Sequence, residues 1–313
     1  MARQSPAETL EVDGREVRIT NPDRVYFPER GETKLDLARY YLSVGEGIVN
    51  ALARRPCMLH RFPTGVAGPK VHQKRLPAGA PEWIETVEIV FPRYGRRARE
   101  LTVTSLADVI WAVQMSTVEF HPWNSRAETL ECPDEWRIDI DPMPDCPLDR
   151  VRRVAGAVHA LLDELGATGW PKTSGGEGIH VYVRIAPQHG FSEVRRAALA
   201  FARELERRCP EDVTTAWFRR DRDPAKVFID FNQNARDHTI ACAYSVRGHP
   251  AAPVSTPFAW EELDDLDPAA FTIATVPERY ARLGDLHAGI DAAVFDIAPL
   301  REWADRDGLA GED

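Results

Sequence analysis

The sequence predicts an α+β fold in which strands are separated by whole helices and a single helical layer covers a sheet. From Glu135 to Asp141, Trp136, Ile138 and Ile140 alternate with Arg137, Asp139 and Asp141, the period of two that sends successive side chains to opposite faces of a strand. Ile179, Val181, Val183 and Ile185 alternate in the same way with His180, Tyr182 and Arg184, and Val227, Ile229 and Phe231 with Phe228 and Asp230. Between these strands two sets recur at helical spacing: Val151, Val154, Val158, Leu161, Leu162 and Leu165, then Val194, Ala198, Phe201 and Leu205.

In chain order, the first expected helix runs from Gly31 to Ala53 on a Leu35, Ala38, Tyr41, Leu42 stripe, and Ser105 to Val118 gives a second. Pro142 and Pro144 end the first alternating strand. Asp145 opens the next helix with Pro147 in its first turn, and Gly166 stops it. Lys172 to Gly178 reads as a small-residue loop, and Ser192 as the cap of the following helix. No internal repeat, low-complexity tract or long linker is present, so one compact unit is expected. Within it we delimit an N-terminal half (1–125), a half bearing the alternating strands (126–260) and an acidic segment (261–313).

The chain has 313 residues and an apolar fraction of 43%, ample for a buried core. Its apolar runs are shorter than a membrane span, and Met1 to Val12 lacks the basic-then-apolar pattern of a signal peptide, so a cytoplasmic protein without membrane contact is expected. Five cysteines without a Cys-x-x-Cys pair suggest neither a disulfide framework nor a structural zinc site. The net charge of −10 is uneven: from Glu261 onward there are 14 acidic and 4 basic residues, so the rest of the chain is neutral overall. Between Ala51 and Glu100, 10 Lys or Arg stand against 4 Glu: Arg54, Arg55, Arg61, Lys70, Lys74, Arg75, Arg93, Arg96, Arg97 and Arg99. Such a stretch can track a phosphate backbone, or simply be a solvated face.

Asp139 and Asp141, at i and i+2 on a strand, present both carboxylates to one side, where they can share hard cations through oxygen. Two surface aspartates, each with an Arg partner such as Arg137, would give the same pattern. The loop Thr173-Ser174-Gly175-Gly176-Glu177-Gly178 then leads into His180. Its glycines allow close backbone approach, and its amides and the Ser174 hydroxyl can donate to phosphate oxygens. It is neither a Walker motif nor a dinucleotide fingerprint, since no Gly-Lys-Ser/Thr follows and it precedes a strand. If the three apolar faces share one sheet surface, Asp139, Asp141, His180 and Asp230 emerge together on the uncovered side, in an open cleft. Carboxylates facing a phosphate cradle fit two-metal phosphoryl or nucleotidyl transfer, with Arg222, Lys226, Arg236 and Arg247 available as counter-charge. A non-catalytic nucleic-acid platform and a metal-dependent nuclease are the other readings.

Together, Ile138-Asp139-Ile140-Asp141-Pro142, Ser174 to His180 and Val227-Phe228-Ile229-Asp230 resemble the three motifs of the archaeo-eukaryotic primase superfamily, most closely the polymerase module of bacterial end-joining ligase D and its stand-alone relatives. Thr20 to Pro28, Thr33-Lys34, Arg61 to Val66, Ala80 to Trp83, Glu119-Phe120-His121 and Ala243 to Arg247 extend the likeness over roughly residues 10 to 265. The resemblance implies a primase-polymerase fold with mixed and antiparallel central sheets and helices on the outer faces. It implies that Asp139, Asp141 and Asp230 are catalytic and ligate Mn2+ or Mg2+. It places Ser174, His180, His121, Arg222 and Arg247 on the nucleoside triphosphate, and Arg24 and Lys34 on a 5'-phosphate, with Arg61 and Lys74 as further DNA contacts. The implied activity is DNA-directed nucleotidyl transfer in gap filling or end extension, with ribonucleotides accepted. Primer-template or gapped DNA, end-joining or excision-repair proteins and a nucleoid-associated setting would go with it. Ligase and phosphoesterase modules would not fit in 313 residues, so a free-standing polymerase is expected. Two positions depart from the family: Glu177 stands where lysine is common, and Val71-His72 where an aromatic pair packs on template bases.

Overall fold

The computed structural model describes residues 6–91 and 95–310; Arg93 of the basic stretch, residues 1–5 and residues 311–313 of the acidic segment lie outside them. The chain divides into two compact units. The first comprises Met1–Trp123, Ile240–Thr256 and Ala269–Asp285, the second Asn124–Thr239, Pro257–Pro268 and Leu286–Asp313.

In the first unit, a hairpin of β1 (Ala7–Val12) and β2 (Arg15–Thr20) precedes two helices, α1 (Lys34–Ser43) and α2 (Gly45–Leu52). The sequence predicts one helix here. It breaks at Val44, which serves as C-cap of α1 and N-cap of α2, beside Gly45, where a Cβ would stand 2.6 Å from a Leu106 methyl. Thr33 starts α1 with a reciprocal capping box: its hydroxyl accepts from the Asp36 amide at 3.2 Å, and its own amide donates to the Asp36 carboxylate at 2.9 Å. An antiparallel sheet follows, of β3 (Pro56–Arg61), β4 (Val71–Gln73), β5 (Thr86–Phe91), β6 (Arg96–Thr102) and β7 (Thr117–Pro122). Its order is β4-β3-β6-β5, with β7 also paired to β3. Helix α3 (Leu106–Gln114) stops short of the expected Val118, because Ser116 takes a φ of +73° and the chain turns into β7. Tyr41 ties helix to sheet: its hydroxyl donates to the Val118 carbonyl at 2.6 Å and its ring meets Phe120 edge-on at 5.2 Å.

The second unit is built on a six-stranded mixed sheet. In chain order its elements are β8 (Glu135–Pro142), α4 (Leu148–Glu164), β9 (Trp170–Thr173), β10 (Ile179–Ile185), α5 (Phe191–Arg208), β11 (Val213–Thr214), β12 (Val227–Ile229), β13 (Val294–Phe295) and a helix, Ala298–Arg306. The sheet order is β11-β12-β8-β10-β13, with β9 also paired to β10; β8 lies antiparallel to both β10 and β12. The expected apolar face is present, Trp136, Ile138 and Ile140 being buried, and Trp136 meets Phe201 of α5 edge-on at 4.8 Å. Pro147 is the N-cap of α4 rather than a first-turn residue, and Gly190, not Ser192, occupies that position in α5.

The other face departs from the expected open surface. His180, Tyr182 and Arg184 are all buried, as are Arg137 and Glu135. Arg137 pairs with Glu135 at 2.8 Å, and Arg184 with Asp134 at 3.2 Å and Asp291 at 2.8 Å. His287 of the acidic segment, donating from Nε2 to the Pro171 carbonyl at 3.0 Å, stands against Tyr182. Only toward the end of β8 does the face open, with Asp139 half-buried and Asp141 exposed.

Trp136 is 1% exposed and joins β8 to α5. Its replacement by alanine is expected to lower unfolding free energy by about 3–5 kcal/mol, the range for a fully buried large aromatic, measurable as a shifted urea midpoint at unchanged slope.

Candidate functional site

Cross-strand register assembles the acidic site of the second unit. Asp139 on β8 lies opposite His180 on β10, and His180 lies opposite Lys172 on β9. On the far side of β8, Asp141 faces Phe228 of β12, and the Asp230 amide donates to the Asp139 carbonyl at 2.9 Å. Residues directly opposite on paired strands share a face, so Lys172, His180 and Asp139 form a lateral row, with Asp230 beyond them. Where β12 ends, Asn234 continues the ladder with its side chain: it accepts from the Arg137 amide and donates to the Arg137 carbonyl, both at 2.8 Å. That clamp fixes the turn bearing Asp230 against β8.

Lys172 Nζ stands 2.7 Å from His180 Nδ1, and His180 Nε2 stands 3.4 Å from Asp139 Oδ1. Asp230 accepts from the Asn232 amide at 3.0 Å and from Gln233 Nε2 at 2.8 Å. Burial, and then the charge of Asp230, push the Asp141 carboxyl up from its ordinary value; Arg222 and Arg219 pull it down, and Glu177 adds to the repulsion. A carboxylate raised by a neighbouring one in this way is short of positive charge, which is the condition a hard divalent cation meets. Aspartate oxygens are the ligand type such a cation takes, although among the described residues the group whose ligand atoms lie close enough to share one ion is the His60, Glu119 and His121 set of the first unit.

The Ser174–Gly178 loop is organised internally. Ser174 Oγ accepts from the Gly176 and Gly178 amides at 3.1 and 3.2 Å, so in this geometry those donors are engaged by the hydroxyl expected from the sequence to meet phosphate. Gly178 lies where a Cβ would come 2.7 Å from the Ile140 carbonyl oxygen, which presses the loop onto β8 between its two aspartates. Arg222 donates to the Ala216 and Trp217 carbonyls at 2.9 and 3.0 Å and lies over the Phe228 ring, with Asp230 and Asp141 in its field. Arg236, read from sequence as counter-charge for Asp230, is instead bound through two 2.8 Å contacts to Glu131. Lys226 donates to the Pro210 carbonyl at 2.6 Å.

His121 and Arg247 belong to the first unit, where Glu119 gathers them. Its Oε2 accepts from His121 Nε2 at 2.7 Å and His60 Nδ1 at 3.0 Å, with Arg247 Nε at 3.4 Å; its Oε1 accepts from the Gly248 amide at 2.8 Å. His60 stacks on His121 with ring centroids 3.7 Å apart, and His72 lies 4.4 Å from His60 on the other side. Among the described residues, His60, Glu119 and His121 bring three ligand atoms close enough to share one ion, a combination that suits transition metals. Here the three atoms are spent on one another, and a guanidinium already balances the carboxylate, so we read the set as a hydrogen-bonded hub. Despite its burial, hydrogen bonds from His121 and His60 and the charge of Arg247 hold Glu119 well below the usual carboxylate range, and burial pushes His121 down to about 3.

A separate cationic group in the same unit contains Arg24, Lys34 and Arg61. Burial and the charges of Arg24 and Arg61 lower the Lys34 ammonium to about 8; it donates to the Thr20 carbonyl at 3.1 Å, the Gln114 carbonyl at 2.7 Å and the Gln114 side chain at 2.8 Å. Arg24 donates to the Pro63 carbonyl at 2.6 Å, and Arg61 to Met115 and Gln73. Lys74 lies 4.6 Å over the Phe91 ring. Elsewhere in the basic stretch, Arg54 pairs with Glu85 and Arg97 with Glu88.

Sequence reasoning assigned no role to Lys172, Glu119 or His60. Lys172 had a readable signal, because Thr173 pairs with Ile179 across the loop and the preceding residue therefore faces His180. Glu119 stood two places before His121 on a strand, the spacing of a shared face. His60 had no local signal.

Comparison with known proteins agrees with the family resemblance read from the sequence. The chain matches the family described as LigD, primase-polymerase domain, over residues 33–287. It is similar to the multifunctional non-homologous end joining protein LigD of Pseudomonas aeruginosa, 34% identical over 284 residues that cover 90% of this chain and 33% of that one. The protein of the same description from Mycolicibacterium smegmatis is 32% identical over 278 residues, 88% of this chain and 36% of that one. This chain thus spans about a third of the length of these curated relatives. A solved structure, the polymerase domain from Mycobacterium tuberculosis Ligase D in complex with DNA, superposes with a TM-score of 0.80 at 32% identity, covering 88% of this chain and 98% of that chain. That mixed α+β fold is the one described above.

The acid response of the first unit follows from the Glu119 hub. Unfolded, His121 takes up a proton near 6.5, which the folded chain refuses until about 3; Glu119 likewise stays ionised below its unfolded value of 4.5. The unfolded state then binds more protons, so stability falls as pH drops. Urea midpoints are expected to decline between pH 7 and pH 4, and the part of the decline above about pH 4.5 should flatten in His121→Gln.

Proposed function

The chain belongs to the LigD primase-polymerase domain family, and we propose that it is a metal-dependent, DNA-directed nucleotidyltransferase that fills gaps or extends ends in DNA break or excision repair. The observation that carries this reading is the meeting of Asp139, His180 and Asp230 in one register, with Asp141 alongside.

Asp139, Asp141 and Asp230 would hold Mn2+ or Mg2+ through oxygen. Divalent cations there supply a lowered pKa for a primer 3'-hydroxyl and neutralise the departing pyrophosphate. The 3'-oxygen forms its bond to the α-phosphorus as the bond to pyrophosphate breaks. His180 can donate to the phosphates, and Arg222, already in the field of Asp141 and Asp230, supplies fixed positive charge. His121 and Arg247, read from the sequence as nucleotide contacts, lie in the first unit, where Glu119 holds their orientation.

Arg24, Lys34 and Arg61 support a terminal-phosphate site. Burial and then two neighbouring cations, Arg24 and Arg61, depress the Lys34 ammonium, and a 5'-phosphate at the far side of a gap would relieve the crowding of charge. The exposed Trp217 and Phe218, near Arg219 and Arg222, offer the aromatic and cationic surface on which unpaired bases stack. Primer-template or gapped DNA, nucleoside triphosphates including ribonucleotides, and end-joining or excision-repair proteins are the partners this reading implies.

The direct test is a labelled gapped duplex bearing a 5'-phosphate, incubated with deoxyribonucleotides or ribonucleotides and with Mn2+ or Mg2+. Lengthening of the primer is expected; shortening without nucleotide would replace this reading with a nuclease, and DNA binding with neither outcome would leave a non-catalytic platform. Asp139→Ala and Asp230→Ala are each expected to cut extension by about 10³-fold or more, since cation binding carries several kcal/mol of transition-state stabilisation at about 1.4 kcal/mol per tenfold. Glu177→Lys should lower the KM for the nucleoside triphosphate by about tenfold, because a repulsive carboxylate becomes a charge-assisted donor. Steady-state kinetics at fixed metal concentration measures both.

A further inference from the structure

Lys172 is fully buried on β9, the strand beside the one that carries His180. A buried ammonium is costly unless it is paired. Nothing in the proposed reaction calls on Lys172 directly. Its Nζ stands 2.7 Å from Nδ1 of His180, with the Tyr182 ring 5.2 Å away. A protonated amine donates and never accepts; with Lys172 in that form, Nδ1 is the acceptor of this contact and the ring hydrogen falls to Nε2. That nitrogen faces Asp139 Oδ1 at 3.4 Å.

We propose that Lys172 is a positioning residue that holds His180 in the Nε2–H tautomer, so that the imidazole presents a donor to the acidic site and to the oxygens of a bound triphosphate. The proposal rests on the nucleotidyltransferase reading for its substrate, but the tautomer itself is a property of the nucleotide-free protein. A carboxylate and a phosphate oxygen are both acceptors. With the hydrogen on Nδ1, Nε2 would turn a lone pair toward each of them, and the histidine would repel the substrate it is placed to bind. Which nitrogen carries the hydrogen is set by the partner of the other one, and here that partner is buried and in register. The orientation is therefore fixed before substrate arrives, and no reorganisation is needed when it does.

Two readouts separate positioning from bulk support. In histidine-labelled protein, with the His180 signals assigned by their loss in His180→Gln, the 15N shifts should show a protonated Nε2 and an unprotonated Nδ1; in Lys172→Met they should move toward the Nδ1–H form. In steady-state extension, Lys172→Met should raise the KM for the nucleoside triphosphate by about tenfold, the size of one charge-assisted hydrogen bond, with a smaller change in kcat. In a His180→Ala background the same substitution should have no further effect on KM. An equal KM penalty in both backgrounds overturns the proposal, as does an unchanged tautomer in Lys172→Met. If Lys172→Met does not fold, the unsubstituted protein decides alone: an Nδ1–H tautomer overturns the proposal and an Nε2–H tautomer supports it. Absence of any nucleotide incorporation by the unsubstituted protein would remove the functional reading and leave the tautomer result standing.

Discussion

Side chains directly opposite one another on paired strands share a face within about 5 Å, and the acidic unit depends on that spacing. Opposition of Asp139 to His180, and of His180 to Lys172, is decided by the register of β8, β10 and β9. A slip by one residue would send all three to the other face at once. What holds the register is the apolar side: Trp136, Ile138 and Ile140 have one buried layer to enter, and α5 closes it with Phe201. The chemistry on one face is thus indexed by hydrophobic packing on the other. Asn234 carries the same indexing past the end of β12, where backbone pairing has run out.

The two units treat carboxylate charge in opposite ways. Glu119 is surrounded by donors and a guanidinium and stays ionised at little cost. Asp141 has another carboxylate as its strongest charged neighbour. Hydrogen bonding to the charged form favours it, and a like charge disfavours it. The first arrangement suits a rigid support, the second a place where incoming positive charge is rewarded. Sites of the second kind weaken the unliganded fold and gain that stability back on binding.

Period-two alternation makes β8, β10 and β12 legible in the amino-acid sequence, because a half-buried strand has to alternate. The same alternation misjudges the second face: His180, Tyr182 and Arg184 are polar yet buried, since residues far along the chain, Asp291 and His287 among them, return to pair with that face or cover it. Local pattern carries no information about which distant segment returns. Pairing partners fail to show for the same reason. Arg236 lies six residues from Asp230 but reaches Glu131, more than a hundred residues back. Arg137 pairs along its own strand with Glu135. Helix ends are blurred by single residues, Val44 dividing the expected long helix and Ser116 cutting the next one short, where a backbone angle decides and side-chain periodicity is silent.

Gly178 stands where any larger residue would strike the Ile140 carbonyl, between the two aspartates of β8. Loop and strand approach there closely enough that only a glycine leaves room between them. A side chain at Gly178 would displace the Ser174–Gly178 turn, the strand between Asp139 and Asp141, or both. By reciprocity, any change that an occupant of the turn imposed on the aspartates would be returned by an occupant of the aspartates, each altering the other's affinity by the same factor.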